Sequence, residues 1–278
     1  PGHALVRSPA GFVAQPYETA AKAGDLAELL RASVAKTLAA APGRVAVALS
    51  GGLDSAILLA LVHAIDPTVP AFVLDPQLDG YGEHDTALAS ARHVGAEVTL
   101  FAASADDFRD ALPAAVAAFE TTIYNLHPLA KLLLARAARA AGVTTMITGD
   151  GADQVFTRDT SANYMPLVGA AFAAAGVAVA TPFLDADVVA CILAVPPDRD
   201  KAILRQAAAQ LAVPLPLVHG PKVSKLVPPI DLEPLVATVA LVELAARLQL
   251  PPPDLRDDRD RVRWTTLALL VDSFAAWP

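Results

Sequence analysis

The chain is 278 residues long with a formal net charge of −8, enough for one large α/β domain or two small ones, and a single substantial core is expected. Its basic residues are scattered rather than striped, which speaks against a nucleic-acid partner, and no uncharged apolar run reaches the roughly 18 residues of a membrane span. The lone cysteine, Cys191, excludes an internal disulfide and a cysteine-built zinc site, and the start of the chain lacks the pattern of a secretory signal, so a cytoplasmic protein is expected.

Residues 4–7 and 11–13, separated by Ser8, Pro9 and Ala10, read as a short β hairpin or arm, and the arm is assigned to residues 1–24. The remainder, 25–278, is expected to form the main domain. Leu26, Leu29, Leu30, Val34 and Leu38 recur at helical spacing behind Asp25, a natural N-cap. The run from Val45 to Leu49, bounded by Pro42 and Gly43 before it and by glycines after it, is apolar throughout, as a buried parallel strand is. A helix over 55–64 follows, then strand 71–74, helix 86–94, strand 97–101, helix 129–141 ending at Gly142, and strand 143–148. Strands alternating with helices predict a parallel sheet covered by helices on both faces. Beyond Val188 the pattern is mainly helical, punctuated by prolines; segment 232–250 and the spacing of Trp264, Leu267, Leu270 and Phe274 suit core or dimer surface.

Two loops stand where such a sheet binds ligands, beyond the carboxyl ends of its strands. The first is Ser50, Gly51, Gly52, Leu53, Asp54, Ser55. Paired glycines allow a tight turn and unhindered N–H donors toward phosphate oxygens, and the next helix aims its positive end at the same place. Ser50 and Ser55 add hydroxyls. The Asp54 charge would repel phosphate directly, so it makes sense as a ligand of a bridging Mg²⁺. The second loop, Thr148, Gly149, Asp150, Gly151, Ala152, Asp153, follows another apolar strand.

The first loop carries the Ser-Gly-Gly-x-Asp-Ser pattern and resembles that of the N-type ATP pyrophosphatases. The second, with Gln154, Val155 and Phe156, resembles the Gly-Glu-Gly-(Ser/Ala)-Asp-Glu-x-Phe segment of asparagine synthetases. Thr181, Pro182, Phe183, Leu184 and Asp185 are similar to that family's Val-Pro-Phe-Leu-Asp; Lys201 to Arg205 resembles its Lys-x-x-Leu-Arg; and Pro221, Lys222 and Val223 resemble its Arg-Pro-Lys stretch. These motifs occur in the family's order over about residues 45–225.

The resemblance implies an α/β fold of the adenine nucleotide α hydrolase (PP-loop) type, a parallel sheet sandwiched by helices with a mainly helical C-terminal part. It also implies ATP and Mg²⁺ as cofactors, and a ligase that adenylates a substrate carboxylate with release of pyrophosphate before an amine or ammonia attacks. By the same resemblance Ser50 to Ser55 and Gly149 hold the nucleotide, Asp54 and Asp153 the metal, Asp150 is the catalytic acidic residue, and Lys222, or Lys225 nearby, the catalytic lysine. Glu120, Tyr124 and His127, ahead of the long helix, are candidates for the substrate pocket.

The sequence also departs from the pattern. Asp150 and Gln154 stand where the family has Glu, and Thr157, Arg158 and Asp159 replace its Gly-Gly-Tyr. Pro1, Gly2, His3 and Leu5 resemble the hairpin that joins the glutaminase half of asparagine synthetases to the synthetase half, and no such half is expected here. The amine would then come from the substrate itself, from free ammonia or from a separate subunit. The first of these would resemble β-lactam and carbapenam synthetases or lasso-peptide cyclases, enzymes of specialised biosynthesis. An inactive homologue retained as a scaffold is the alternative.

Overall fold

The computed structural model describes residues 3–8, 11–16, 24–78, 81, 84–158, 164–211, 213 and 229–275. Strands β1 (His3–Ser8) and β2 (Gly11–Pro16) form an antiparallel hairpin. The main sheet has five parallel strands: β3 (Val45–Ala48), β4 (Ala71–Pro76), β5 (Val98–Ala103), β6 (Thr145–Ile147) and β7 (Ala178–Ala180). Their order across the sheet is β5-β4-β3-β6-β7. The chain therefore builds outward from β3 in one direction and then returns to its other side, which makes the β3/β6 boundary the topological switch point.

The sheet is the middle of three layers because alternate residues of its strands face opposite ways. Val47, Leu49, Val73 and Ile147 point to α1 (Leu26–Ala40), α2 (Leu53–Ile65), α8 (Ala186–Leu193) and α9 (Ala202–Gln210), where Leu30, Ile57, Leu58 and Leu61 are wholly enclosed. Ala46, Ala48, Phe72 and Met146 point the other way, to α5 (His127–Ala140) and α7 (Met165–Ala174), meeting Leu134, Ala138 and Phe172. The small residues Ala46 and Ala48 leave room for those helices to approach closely. Helix α4 (Ala105–Phe119) packs beside α5 through Phe108, Leu112 and Phe119. Helix α3 (His84–Val94) covers β4, and the short α6 (Ala152–Thr157) follows the second loop. Helices α10 (Thr238–Arg247) and α11 (Asp258–Ala275) join through Leu241, Leu244 and Trp264.

Asp25 caps α1 through Ala27 N at 3.0 Å, as its position predicts. The elements not foreseen include α4, α7 and β7. Helix α4 begins with a reciprocal Ser104–Asp107 capping box but runs through Pro113, a residue that removes an intrahelical hydrogen bond and normally ends a helix. Helix α7 and the three-residue β7 are rich in alanine, so neither shows a distinct apolar period. Phe274, expected on a core or dimer face, is 56% exposed, whereas Trp264 is buried. Cys191 is half-buried, and burial pushes its thiol up from the ordinary value. Among the described residues no helix is long and apolar enough to cross a membrane.

Candidate functional site

The first loop folds on its own hydroxyls. Ser50 Oγ and Ser55 Oγ lie 3.0 Å apart, Ser50 N donates to Ser55 Oγ at 3.1 Å, and Gly52 N donates to Ser50 Oγ at 3.2 Å. These bonds close a compact turn between β3 and α2. Asp54 stands in the first turn of α2, where the helix dipole favours a negative charge.

The second loop approaches from the neighbouring strand β6. Gly149 comes so near that a Cβ on it would lie 3.0 Å from Asp54 Cβ and 3.1 Å from Ser55 N. Gly151 has φ +93, and a Cβ there would meet Leu184 at 2.7 Å, so both glycines are required by space and one by backbone conformation as well. Segment Thr181 to Asp185 supports this loop from behind. Its 3₁₀ turn Pro182–Leu184 buries Phe183, Ser33 Oγ donates to Pro182 O at 3.1 Å, and Asp185 caps α8 and pairs with Lys36 at 3.0 Å.

The two predicted metal ligands are brought together by a residue that the sequence reading did not assign to the site. Lys201 Nζ lies 2.8 and 2.7 Å from the two oxygens of Asp54 and 2.7 Å from Asp153 Oδ1. Its side chain is only 11% exposed. Burial alone would lower the Lys201 pKa, but the two facing carboxylates outweigh it and raise it above the ordinary lysine value. Asp153 lies within the first turn of α6, whose N-cap is Gly151.

Asp150 has a second lysine of its own. Lys131 Nζ on α5 donates to Asp150 Oδ2 at 2.8 Å, with both side chains less than a fifth exposed. Burial pushes the Asp150 carboxyl up, and the adjacent Lys131 charge and hydrogen bond, with a smaller pull from His127, more than reverse this and hold it below the usual carboxylate value. His127 and Lys131 are one helical turn apart, so they share a face of α5. Beyond His127 lies a polar aromatic group: Tyr164 stands edge-on to the His127 ring at 6.4 Å, donates to the Tyr124 hydroxyl and accepts from Asn125 Nδ2 at 2.7 Å.

Of the predicted pocket residues, Tyr124 and His127 thus belong to one network that reaches Asp150. Glu120 does not: it is exposed and ends α4 in the left-handed conformation, φ 52. Lys222 and Lys225 lie outside the described residues. Lys201 had a signal in the Lys-x-x-Leu-Arg resemblance. Lys131 had a weaker one, a charge among the buried Leu129, Leu132 and Leu133 of an otherwise apolar helix segment.

The donor set suits magnesium. Mg²⁺ commonly takes one or two carboxylates and completes its shell with phosphate oxygens and water. Asp54 and Asp153 both reach one cationic atom, so they converge on a single point. Among the described residues no group of three or more acidic, His or Cys side chains gathers to form a protein-only cage.

A parallel α/β sheet with a glycine loop and two carboxylates at its switch point places the candidate site where open sheets of this class bind their ligands. The sequence profile of asparagine synthase matches residues 25–166, about half of the chain, and the chain belongs to that family. It is 33% identical over 136 residues to a Mycobacterium bovis protein provisionally named as a glutamine-hydrolyzing asparagine synthetase, a match covering 49% of this chain and 21% of that protein. It is 27% identical over 108 residues to glutamine-hydrolyzing asparagine synthetase 1 of Bacillus subtilis, covering 39% of this chain and 17% of the other. The matches thus span about a fifth of the length of these curated relatives. Among solved structures, NMN synthetase from Francisella tularensis aligns over 87% of this chain and 92% of its own, with 15% identity and a TM-score of 0.42.

Proposed function

We propose that this chain is the adenylating part of an ATP-dependent amide ligase. The observation that carries the reading is the convergence of Asp54 and Asp153 on one cation, from two loops that touch at Gly149. In this reading the Ser50 to Ser55 loop and the start of α2 hold the pyrophosphate end of ATP, and Gly149 lets the second loop close on it. Asp54 and Asp153 would hold Mg²⁺, which when bound would neutralise the charge of the triphosphate. In the adenylation step the substrate carboxylate oxygen attacks the α-phosphorus and pyrophosphate leaves. An amine or ammonia then attacks the acyl-adenylate carbonyl and expels AMP. Lys222 or Lys225 is proposed to meet the charge that develops.

Asp150 has a role shaped by Lys131. A general base works best with a pKa near the working pH, and a carboxylate held below its usual value is a poor proton sink. We assign Asp150 to accept a hydrogen bond from the incoming amine and orient it, with Tyr124, His127 and Tyr164 as the adjoining wall. A shorter acidic side chain tied to a lysine fits a substrate other than free aspartate, in a specialised biosynthetic pathway. The same ion pair also favours the second reading, a nucleotide-binding homologue that does not ligate.

The experiment is pyrophosphate release from Mg-ATP with a panel of amino-acid and peptide carboxylates and amines, products identified by mass spectrometry with AMP and ADP distinguished. Carboxylate-dependent AMP and pyrophosphate, lost in Asp54→Ala, supports the ligase. If no carboxylate gives pyrophosphate although ATP binds, the second reading stands.

A further inference from the structure

We propose that Lys201 is an internal cation that guards the metal position, holding Asp54 and Asp153 together and excluding a free divalent ion until the ion arrives bound to a triphosphate. The inference rests on the ligase reading only in the identity of that triphosphate; the exclusion itself concerns this chain's own side chains.

Two carboxylates aimed at one point repel each other, and removal from water sharpens the repulsion. Something positive must lie between them for the loops to close. Lys201 Nζ does so, with contacts of 2.7 and 2.8 Å to Asp54 and 2.7 Å to Asp153. A lysine side chain is long enough to reach water and usually does. This one is kept inward by three local features. Its backbone is in the left-handed region, φ 54, a conformation that a non-glycine residue adopts only where its surroundings impose it. Asp198 secures that turn by accepting from Asp200 N at 2.8 Å and Ala202 N at 2.6 Å. The Phe156 ring lies 5.8 Å from the ammonium on the α6 side.

The contacts then set an order of events. A hydrated divalent ion arriving alone must expel the Lys201 ammonium from both carboxylates and leave it without them. An ion that brings a triphosphate offers the displaced ammonium new partners, since phosphate oxygens satisfy all three of its donors. Lys201 thus leaves the carboxylates only when it can turn to the phosphates. The metal and the nucleotide bind as one unit.

Manganese serves as the probe, its free concentration read by electron paramagnetic resonance without any turnover. Wild-type protein without nucleotide is expected to show no saturable site below millimolar Mn²⁺, and to acquire one in the presence of a non-hydrolysable ATP analogue. Lys201→Met and the more polar Lys201→Gln, each checked for native circular dichroism, are expected to bind Mn²⁺ alone at least about tenfold more tightly than wild type. Lys201→Arg, which keeps the charge, is expected to exclude it. Saturable Mn²⁺ binding by the nucleotide-free wild type overturns the proposal whether or not the variants fold, as does a Lys201→Gln protein that binds no better than wild type. Failure of the ligase reading would show elsewhere, as absent pyrophosphate release, and would leave the nucleotide-free comparison intact.

Discussion

Gly149 and Asp54 belong to different loops, 95 positions apart in the chain, yet a single added methyl on Gly149 would sit 3.0 Å from Asp54 Cβ. Gly149→Ala must therefore push the second loop off the first. The expected stability cost is modest, about 1–3 kcal/mol for overpacking, because the loops lie at the end of the sheet rather than in its core. Pyrophosphate release is expected to fall by about a hundredfold, the scale of a misplacement of about 1 Å. Urea unfolding measured beside the initial rate checks both; an alanine variant with wild-type rate would show that the contact does not set the site.

Gly151→Ala is expected to fail differently. Its φ of +93 and the Leu184 side chain 2.7 Å from the new Cβ combine backbone strain with a clash. Leu184 belongs to the turn that buries Phe183. A loss of about 1–3 kcal/mol is expected, and Leu184→Ala in the same chain should recover part of it because it removes the clash but not the strain. No recovery in the double variant would place the whole effect in the backbone.

Removing Lys131 leaves the Asp150 carboxylate buried and unpaired. Lys131→Met is expected to destabilise the fold by about 3–5 kcal/mol near pH 7. The sign of the pH dependence follows from the wild-type carboxyl being held below its usual value. That stabilisation is present above the unfolded carboxyl pKa and is lost as pH falls through the folded one. In the variant, burial is opposed only by the weaker pulls that remain, His127 among them, and the carboxyl takes up a proton at higher pH than in the wild type. The difference between wild type and variant should therefore shrink from pH 7 to pH 5, and denaturant curves at both values test it. A constant difference would mean that the lost alkyl packing dominates.

Tyr164 provides a spectroscopic test of the aromatic network. Burial, then its bond to the Tyr124 hydroxyl, pushes its pKa up to about 12. A phenol held protonated stabilises the fold below the unfolded tyrosine pKa near 10, and the contribution is lost as pH rises through about 12. Ultraviolet titration of the phenolate should show late ionisation that disappears in Tyr164→Phe. If the variant retains the late component, the hydroxyl pair is not the cause.

The phosphate loop was legible because its chemistry is local. Two glycines, two serines and an aspartate between an apolar strand and a helix are consecutive residues, and the hydrogen bonds among Ser50, Gly52 and Ser55 span at most five positions. The strands β3 to β6 were legible for a similar reason, each being a compact β-forming run. Helix α4 was not, since Pro113 argues against a helix that capping and the burial of Phe108, Leu112 and Phe119 nevertheless enforce. Propensity is a weak prior beside tertiary packing.

The sequence by itself determined the class of fold, the family and the two loops that meet at its switch point, because each is written in adjacent residues or in a period of two or 3.6. Only the tertiary structure decided which charges face one another. Lys201 is 147 positions from Asp54 and 48 from Asp153, and Lys131 is 19 from Asp150. No spacing in the chain encodes those separations; they arise from the parallel strand order that stacks β3 beside β6 and from the helices that pack back over their carboxyl ends. A carboxylate's place in a motif suggested a metal ligand or a base, and the lysine folded against it set its charge and its reach.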